Sequence, residues 1–120
     1  MRASVLADLP RLRNDKRFTL SKGPAGLVHY IALDSARDVS PNVTAKDGKP
    51  LAKNPLKDSR VRKALSLAIN RNAITERLME GSAVPASQLV PTTYPGTSQK
   101  LKPDAFDLAK AQALLKEAGW

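Results

Sequence analysis

The chain has no cysteine, a single histidine, and only two Phe, two Tyr and one Trp in 120 residues. Without cysteine there is no disulfide framework, no thiolate zinc site and no cysteine nucleophile. With one imidazole, His29, neither a multi-histidine metal site nor a His-paired nucleophile has an obvious partner set. The scarcity of aromatics removes the stacking platforms that single-strand nucleic-acid binders use. Long apolar runs are also missing. The longest charge-free stretch, 81–99, holds three prolines among Ser, Gln and Thr, unlike the roughly 20 apolar residues of a membrane-spanning helix. Near the start, Asp8 interrupts Val5-Leu6-Ala7 before an export-signal core of about 7–15 residues develops.

What is present in excess is positive charge: 20 Lys+Arg against 11 Asp+Glu, a formal net charge of +9. The excess is spread evenly. Residues 1–60 carry 12 basic and 6 acidic side chains, residues 61–120 carry 8 and 5. A nucleic-acid binder concentrates its charge in a patch or tail, so a solvated basic face is the favoured reading. A small basic nucleic-acid-binding protein is the alternative.

Hydrophobic periodicity predicts a chain of both helices and strands. Residues 1–35 read as a short helix capped by Asp8, a short strand at Phe18-Thr19-Leu20, and a central strand at Leu27–Leu33. That strand is apolar on both alternating faces, as suits a strand covered on both sides, with His29 satisfied inside the sheet. Residues 36–57 form a polar loop with Pro41, Pro50 and Pro55, long enough to be functional or mobile. Residues 58–81 read as a helix pair. Asp58 caps the first helix, with an apolar stripe at Val61, Ala64, Leu65, Ala68 and Ile69; Asn70 recaps a second through Ile74 and Leu78, closed by Gly81. A proline-rich loop fills 82–106, and Asp107 caps a final helix over 107–120 with Leu108, Ala111, Leu115 and Ala118 on one face.

No catalytic constellation, phosphate loop or metal-ligand spacing emerges, so no enzyme activity, catalytic residue, metal or cofactor is expected. Polar groups at strand ends commonly face ligands in open α/β sheets. This singles out Asp34 and Ser35, with turn chemistry as the competing explanation. Thr92-Thr93-Tyr94 forms a polar loop between prolines, and Tyr94 is its candidate ligand contact.

From Asn54 to Arg71 the sequence resembles the family 5 extracellular solute-binding proteins of bacterial ABC importers. The family pattern is matched at Asp58, Arg60, Val61, Arg62, Ala64, Leu65, Ala68, Ile69, Arg71 and Ile74, with Asn70 in place of the usual Asp. Three further blocks follow in order: Glu80-Gly81 with Pro85-Ala86, Val90-Pro91, and Ala105–Gly119, in which Asp107-Leu108 departs from Asp-Pro. The resemblance implies an α/β fold, α+β at the level of a fragment with few strands and packed helices: part of a lobe of a type II periplasmic binding protein, whose two α/β lobes close around a cleft. It further implies a peptide or similar small solute as ligand, an ABC transporter permease as partner, and a periplasmic location. The position of Asp34-Ser35 resembles one that lines the cleft in some members; the family's main ligand-anchoring acids and arginines mostly lie outside the matched stretch. Members are several times longer, so the expectation is an internal fragment with unpaired sheet edges that self-associates and binds peptide poorly alone.

Overall fold

The computed structural model describes residues 8–21, 23 and 25–120. It divides into two compact units. Unit 1 comprises Met1–Val28 and Arg71–Pro103, and unit 2 comprises His29–Asn70 and Asp104–Trp120. The helical elements in chain order are α1 (Leu9–Asn14), a 3-10 turn (Pro55–Lys57), α2 (Ser59–Leu67), α3 (Arg71–Ala73) running into a wide π turn (Ile74–Leu78), and α4 (Leu108–Glu117).

Unit 2 is built on α2 and α4. Asp58 is extended (φ −76°, ψ 122°) and its side chain accepts from the Arg60 N–H, satisfying one of the orphan donors at the start of α2. Asp107 does the same for α4 by accepting from Lys110 N–H. The Asp107 N–H donates to Leu67 O at 3.0 Å, tying the start of α4 to the end of α2. At the other end Arg60 Nη1 donates to Glu117 O at 3.1 Å. The two helices are therefore antiparallel and clasped at both ends. Between the clasps lie Ala64, Leu67 and Ala111, with Leu114 and Leu115 packed against them. Two alanines facing each other allow close helix approach, and Ala64 and Ala111 are only 1% and 2% exposed.

The buried face of α2 runs Val61, Ala64, Leu67, which corrects the expected stripe. Leu65 is 40% exposed, Ala68 is the C-cap, and Ile69 lies past the helix end. Over nine residues the two registers, spaced by three and by four, are both apolar. The docking of α4 on the row spaced by three decides between them. In α4 likewise Leu108 is half exposed while Ala111 is buried. Gly119 ends α4 in the left-handed region (φ +82°), letting Trp120 N–H reach Leu115 O and Gly119 N–H reach Lys116 O, a Schellman motif.

The segment before α2 is organised rather than loose. Thr44 and Pro50 form an antiparallel bridge around a turn in which Gly48 N–H donates to Ala45 O. Ser40 and Asn54 are buried, at 3% and 1% exposure.

Several expectations are corrected. Among the described residues there is no strand. Leu27–Leu33 is extended but unladdered, with Leu27, Tyr30 and Ile31 about 70% exposed, and His29 is exposed rather than enclosed in a sheet. Phe18-Thr19-Leu20 is irregular too, with Phe18 54% exposed and the Arg17 guanidinium over its ring. A strand exists only as one partner of a ladder, and among the described residues neither stretch forms one. In unit 1, Asp8 is already helical (φ −86°, ψ −12°) and its side chain makes no cap bond; it accepts from Arg11 Nε instead. The helix expected through Leu78 is a single α turn followed by the π turn, with Leu78 71% exposed. Leu9 is the one buried apolar residue described in unit 1. Hydrogen bonds order much of the rest: Gln88 pairs with the Ser98 backbone through both ends of its amide, at 2.9 and 3.1 Å.

Because the α2–α4 contact has no room for a larger side chain, Ala111→Leu is expected to destabilise unit 2 by about 1–3 kcal/mol. Urea unfolding followed by Trp120 fluorescence measures this as a lower midpoint.

Candidate functional site

In unit 2, Asp34 sits where the extended segment turns. Its carboxylate accepts from Arg37 Nη1 at 2.9 Å and from Ser40 Oγ at 2.9 Å, with a longer bond from Arg37 N–H. The Arg37 bond, followed by the Ser40 hydroxyl, holds the carboxyl below the usual carboxylate range. The Asp34 side chain is 15% exposed. Ser35 beside it is exposed.

This turn is held in place by Asn54, which sequence reading did not single out. Its Nδ2 donates to Asp34 O at 2.7 Å and to Arg37 O at 2.9 Å. Its Oδ1 accepts from Leu56 N–H at 3.0 Å, and its own N–H donates to Asp38 O at 2.8 Å. A buried amide with all these bonds made fixes the carbonyls it touches; truncating it would leave buried acceptors unsatisfied. The available signal was Asn54-Pro55, since an Asn ahead of a Pro at a helical start is turn-forming chemistry. Lys57 and Asp38 form a second link across the same stretch, a short ion pair that lowers the Asp38 carboxyl.

The second constellation is Asp58–Arg60–Glu117. Arg60 donates to both Asp58 oxygens, at 2.6–3.2 Å, and reaches Glu117 Oε1 at 3.3 Å. The Arg60 side-chain bond, then the Arg60 N–H, hold Asp58 down to about 2. Arg60 itself is raised, by Asp58 first and Glu117 second. Arg62 Nη1 donates to the carbonyls of Leu56 and Lys57. Arg60 and Arg62 are thus engaged by neighbouring acids and carbonyls.

Tyr94 belongs to unit 1. Its N–H donates to Pro91 O at 3.0 Å, and its carbonyl accepts from Thr97 Oγ1 at 2.7 Å. Thr97 Oγ1 and Gln99 Nε2 both donate to Thr92 O. The phenol oxygen lies against Gly26, so close that a Cβ there would displace the end of the Tyr94 side chain. The ring is 49% exposed. Of the three candidate contacts, Asp34 and Ser35 are neighbours in unit 2, and Tyr94 stands in unit 1. Among the described residues no group of three or more His, Asp or Glu is gathered for a metal, and no helix is long and apolar enough to cross a membrane.

The chain belongs to the bacterial extracellular solute-binding proteins, family 5: the model of the middle part of that family matches residues 1–120. It is 34% identical over 113 residues to the dipeptide-binding protein of Escherichia coli K12, covering 94% of this chain and 18% of that protein. It is 35% identical over 109 residues to the glutathione-binding protein GsiB of the same strain, covering 91% and 18%. The same values hold for GsiB of Salmonella choleraesuis. The chain thus spans less than a fifth of the length of these curated relatives, which are named as binding proteins.

The Asp58 pairing sets an acid limit. Its carboxyl is depressed in the folded state, from an unfolded value near 4 to about 2. The stabilisation is therefore complete above about pH 4 and is lost as pH falls from there through 2. Asp58→Asn keeps a capping acceptor and removes the ion pair. The variant is expected to show a smaller drop in Tm than the parent between pH 5 and pH 2, measured by circular dichroism.

Proposed function

We propose that this chain is a segment of a periplasmic solute-binding protein that delivers peptides or similar small solutes to an ABC transporter permease. The family match over all 120 residues carries this reading. The relatives named for dipeptide and glutathione support short peptides as the solute class. Binding and release, without catalysis, is the activity expected. In the whole protein the α/β character would come from strands pairing with segments such as Leu27–Leu33. Asp34, Ser35 and Tyr94 are the proposed ligand contacts. An acid whose second oxygen also holds a Ser40 hydroxyl keeps one acceptor oriented for a peptide amine or amide, and a half-exposed phenol offers a flat apolar surface. The basic alternative has no feature favouring it, since the cations described around α2 are internally engaged.

The test is a titration of the isotopically labelled chain with a dipeptide panel and glutathione, followed by amide chemical shifts. Fast-exchange perturbations centred on Ser35 and Tyr94 are expected, with a Kd of about 1 mM or weaker because the chain supplies only part of a cleft wall. No perturbation at either residue up to saturation overturns the site assignment. Salt-sensitive shifts produced by an oligonucleotide instead would favour the basic alternative.

The isolated chain should also self-associate. Tyr30 and Ile31 are about 70% exposed on an extended, apolar stretch that joins no ladder among the described residues, the form of an unprotected sheet edge. Light scattering is expected to show mass rising with concentration, and Ile31→Lys should suppress the rise.

A further inference from the structure

The end of the α3–π segment in unit 1 is wound one residue wider than the end of α4 in unit 2. In α4 the closing bond spans five residues, Trp120 N–H to Leu115 O. Here Gly81 N–H donates to Thr75 O, spanning six, and Met79 N–H donates to Ile74 O, spanning five where an α-helix spans four. Both of these bonds are wider by one position, and the chain then tightens as Ser82 N–H donates to Met79 O, spanning three. Met79–Gly81 absorbs the extra residue: Glu80 stands at φ +48°, a left-handed conformation that a side chain with a Cβ adopts at a cost.

Two side chains bond to the backbone of this segment. Thr75 Oγ1 donates to Asn72 O at 3.1 Å, competing for a carbonyl that an α turn would give to the N–H of residue 76. Arg13, on α1 of the same unit, donates from Nη2 to Glu80 O at 2.9 Å, holding the carbonyl of the left-handed residue. Neither bond is local to the apolar packing of the segment, whose Ile74 and Leu78 are 41% and 71% exposed. Little hydrophobic burial therefore fixes the winding.

We propose that residues 74–81 are a two-register element, held in the wide register by the Thr75 hydroxyl and the Arg13 guanidinium. In the narrow register Met79 N–H takes Thr75 O, and Glu80 leaves the left-handed region. Removing one residue of winding turns the following chain by about 100° and shifts it by about 1.5 Å along the axis. The chain that follows is the 82–103 loop carrying Tyr94, so the register sets how that loop departs. π turns of this kind recur at functional positions in helices. Thr75 and Arg13 act here as positioning residues. Which carbonyl accepts from the Met79 amide is set by these two side chains, whatever ligand the loop meets.

Through-hydrogen-bond scalar couplings in the labelled chain read the acceptor of the Met79 amide directly. In the parent, coupling to the Ile74 carbonyl is expected. In Thr75→Val it should move to the Thr75 carbonyl, and Thr75→Ser, which keeps a hydroxyl, should return it to Ile74. Arg13→Gln, a change at an exposed position, should show both couplings at reduced size. Retention of the Ile74 coupling alone in Thr75→Val overturns the proposal, as does loss of both couplings there, which would mean the hydroxyl merely supports one turn. If Thr75→Val loses its dispersed spectrum, Arg13→Gln decides: a single unchanged Ile74 coupling overturns the proposal.

Discussion

The antiparallel docking of α2 on α4, Ala64 against Ala111, is the constraint on which unit 2 depends. It joins segments more than forty residues apart, and it is the densest apolar contact described in the chain. Close approach of two small residues yields little transfer energy by itself. Its value is geometric, because it brings the helix backbones near enough for their ends to bond. Asp107 N–H reaches Leu67 O only when the helices are aligned in this register, and Arg60 reaches the Glu117 carbonyl at the opposite end. The lateral Lys63–Asp104 pair at 2.6 Å adds a third link on an exposed edge, where an ion pair contributes little.

The candidate turn inherits its shape from this pair through a short chain of bonds. The Asp58 side chain fixes the first turn of α2, and Arg62 binds the carbonyls of the 3-10 turn just before it. That turn begins at Asn54, whose amide then fixes the carbonyls of Asp34 and Arg37. Asp34 and Ser35 are therefore positioned from the helix pair outward, although twenty residues of sequence separate Asp34 from Asn54. A surface ion pair such as Arg37–Asp34 could not set that geometry alone, since Arg37 is 63% exposed and its hold is screened by solvent.

The capped helices were legible from sequence. Asp58 and Asp107 are short acceptors ahead of amphipathic runs, and their role depends on bonds two or three residues away. The family resemblance was legible for the same reason, since its strongest block is the start of α2. The buried face of α2 was not, because a nine-residue helix carrying Val61, Ala64, Leu65, Leu67 and Ala68 is apolar enough for two registers. Only the partner selects one. The strand at Leu27–Leu33 failed differently. Its composition states a preference for a ladder, but forming one needs a second extended segment, which composition cannot supply. Asn54 was missed because a buried amide looks like loop polarity until its partners, at 34 and 37, are known to be adjacent. Asp34, Ser35 and Tyr94 were chosen by residue type at a turn, a criterion that finds polar positions without telling a structural acceptor from a ligand contact.

Few apolar side chains are buried among the described residues for a chain whose hydrophobic content is 42%. A globular chain of this size ordinarily hides well over half of the surface it exposes when unfolded. The shortfall is not spread evenly. Unit 2 carries a well-packed helix pair, while Tyr30 and Ile31 of the same unit lie open on an extended backbone. An amphipathic helix can complete itself against one neighbour, as α2 does. A strand apolar on both faces requires layers on each side as well as ladder partners, so it is the element most dependent on surrounding structure. The relatives, of which this chain spans 18%, contain several times as much chain from which such layers can be drawn. The exposure at Tyr30 and Ile31 therefore follows from the kind of element: the helix pair carries its own packing, whereas a stretch apolar on both faces calls for layers that the described residues do not lay over it.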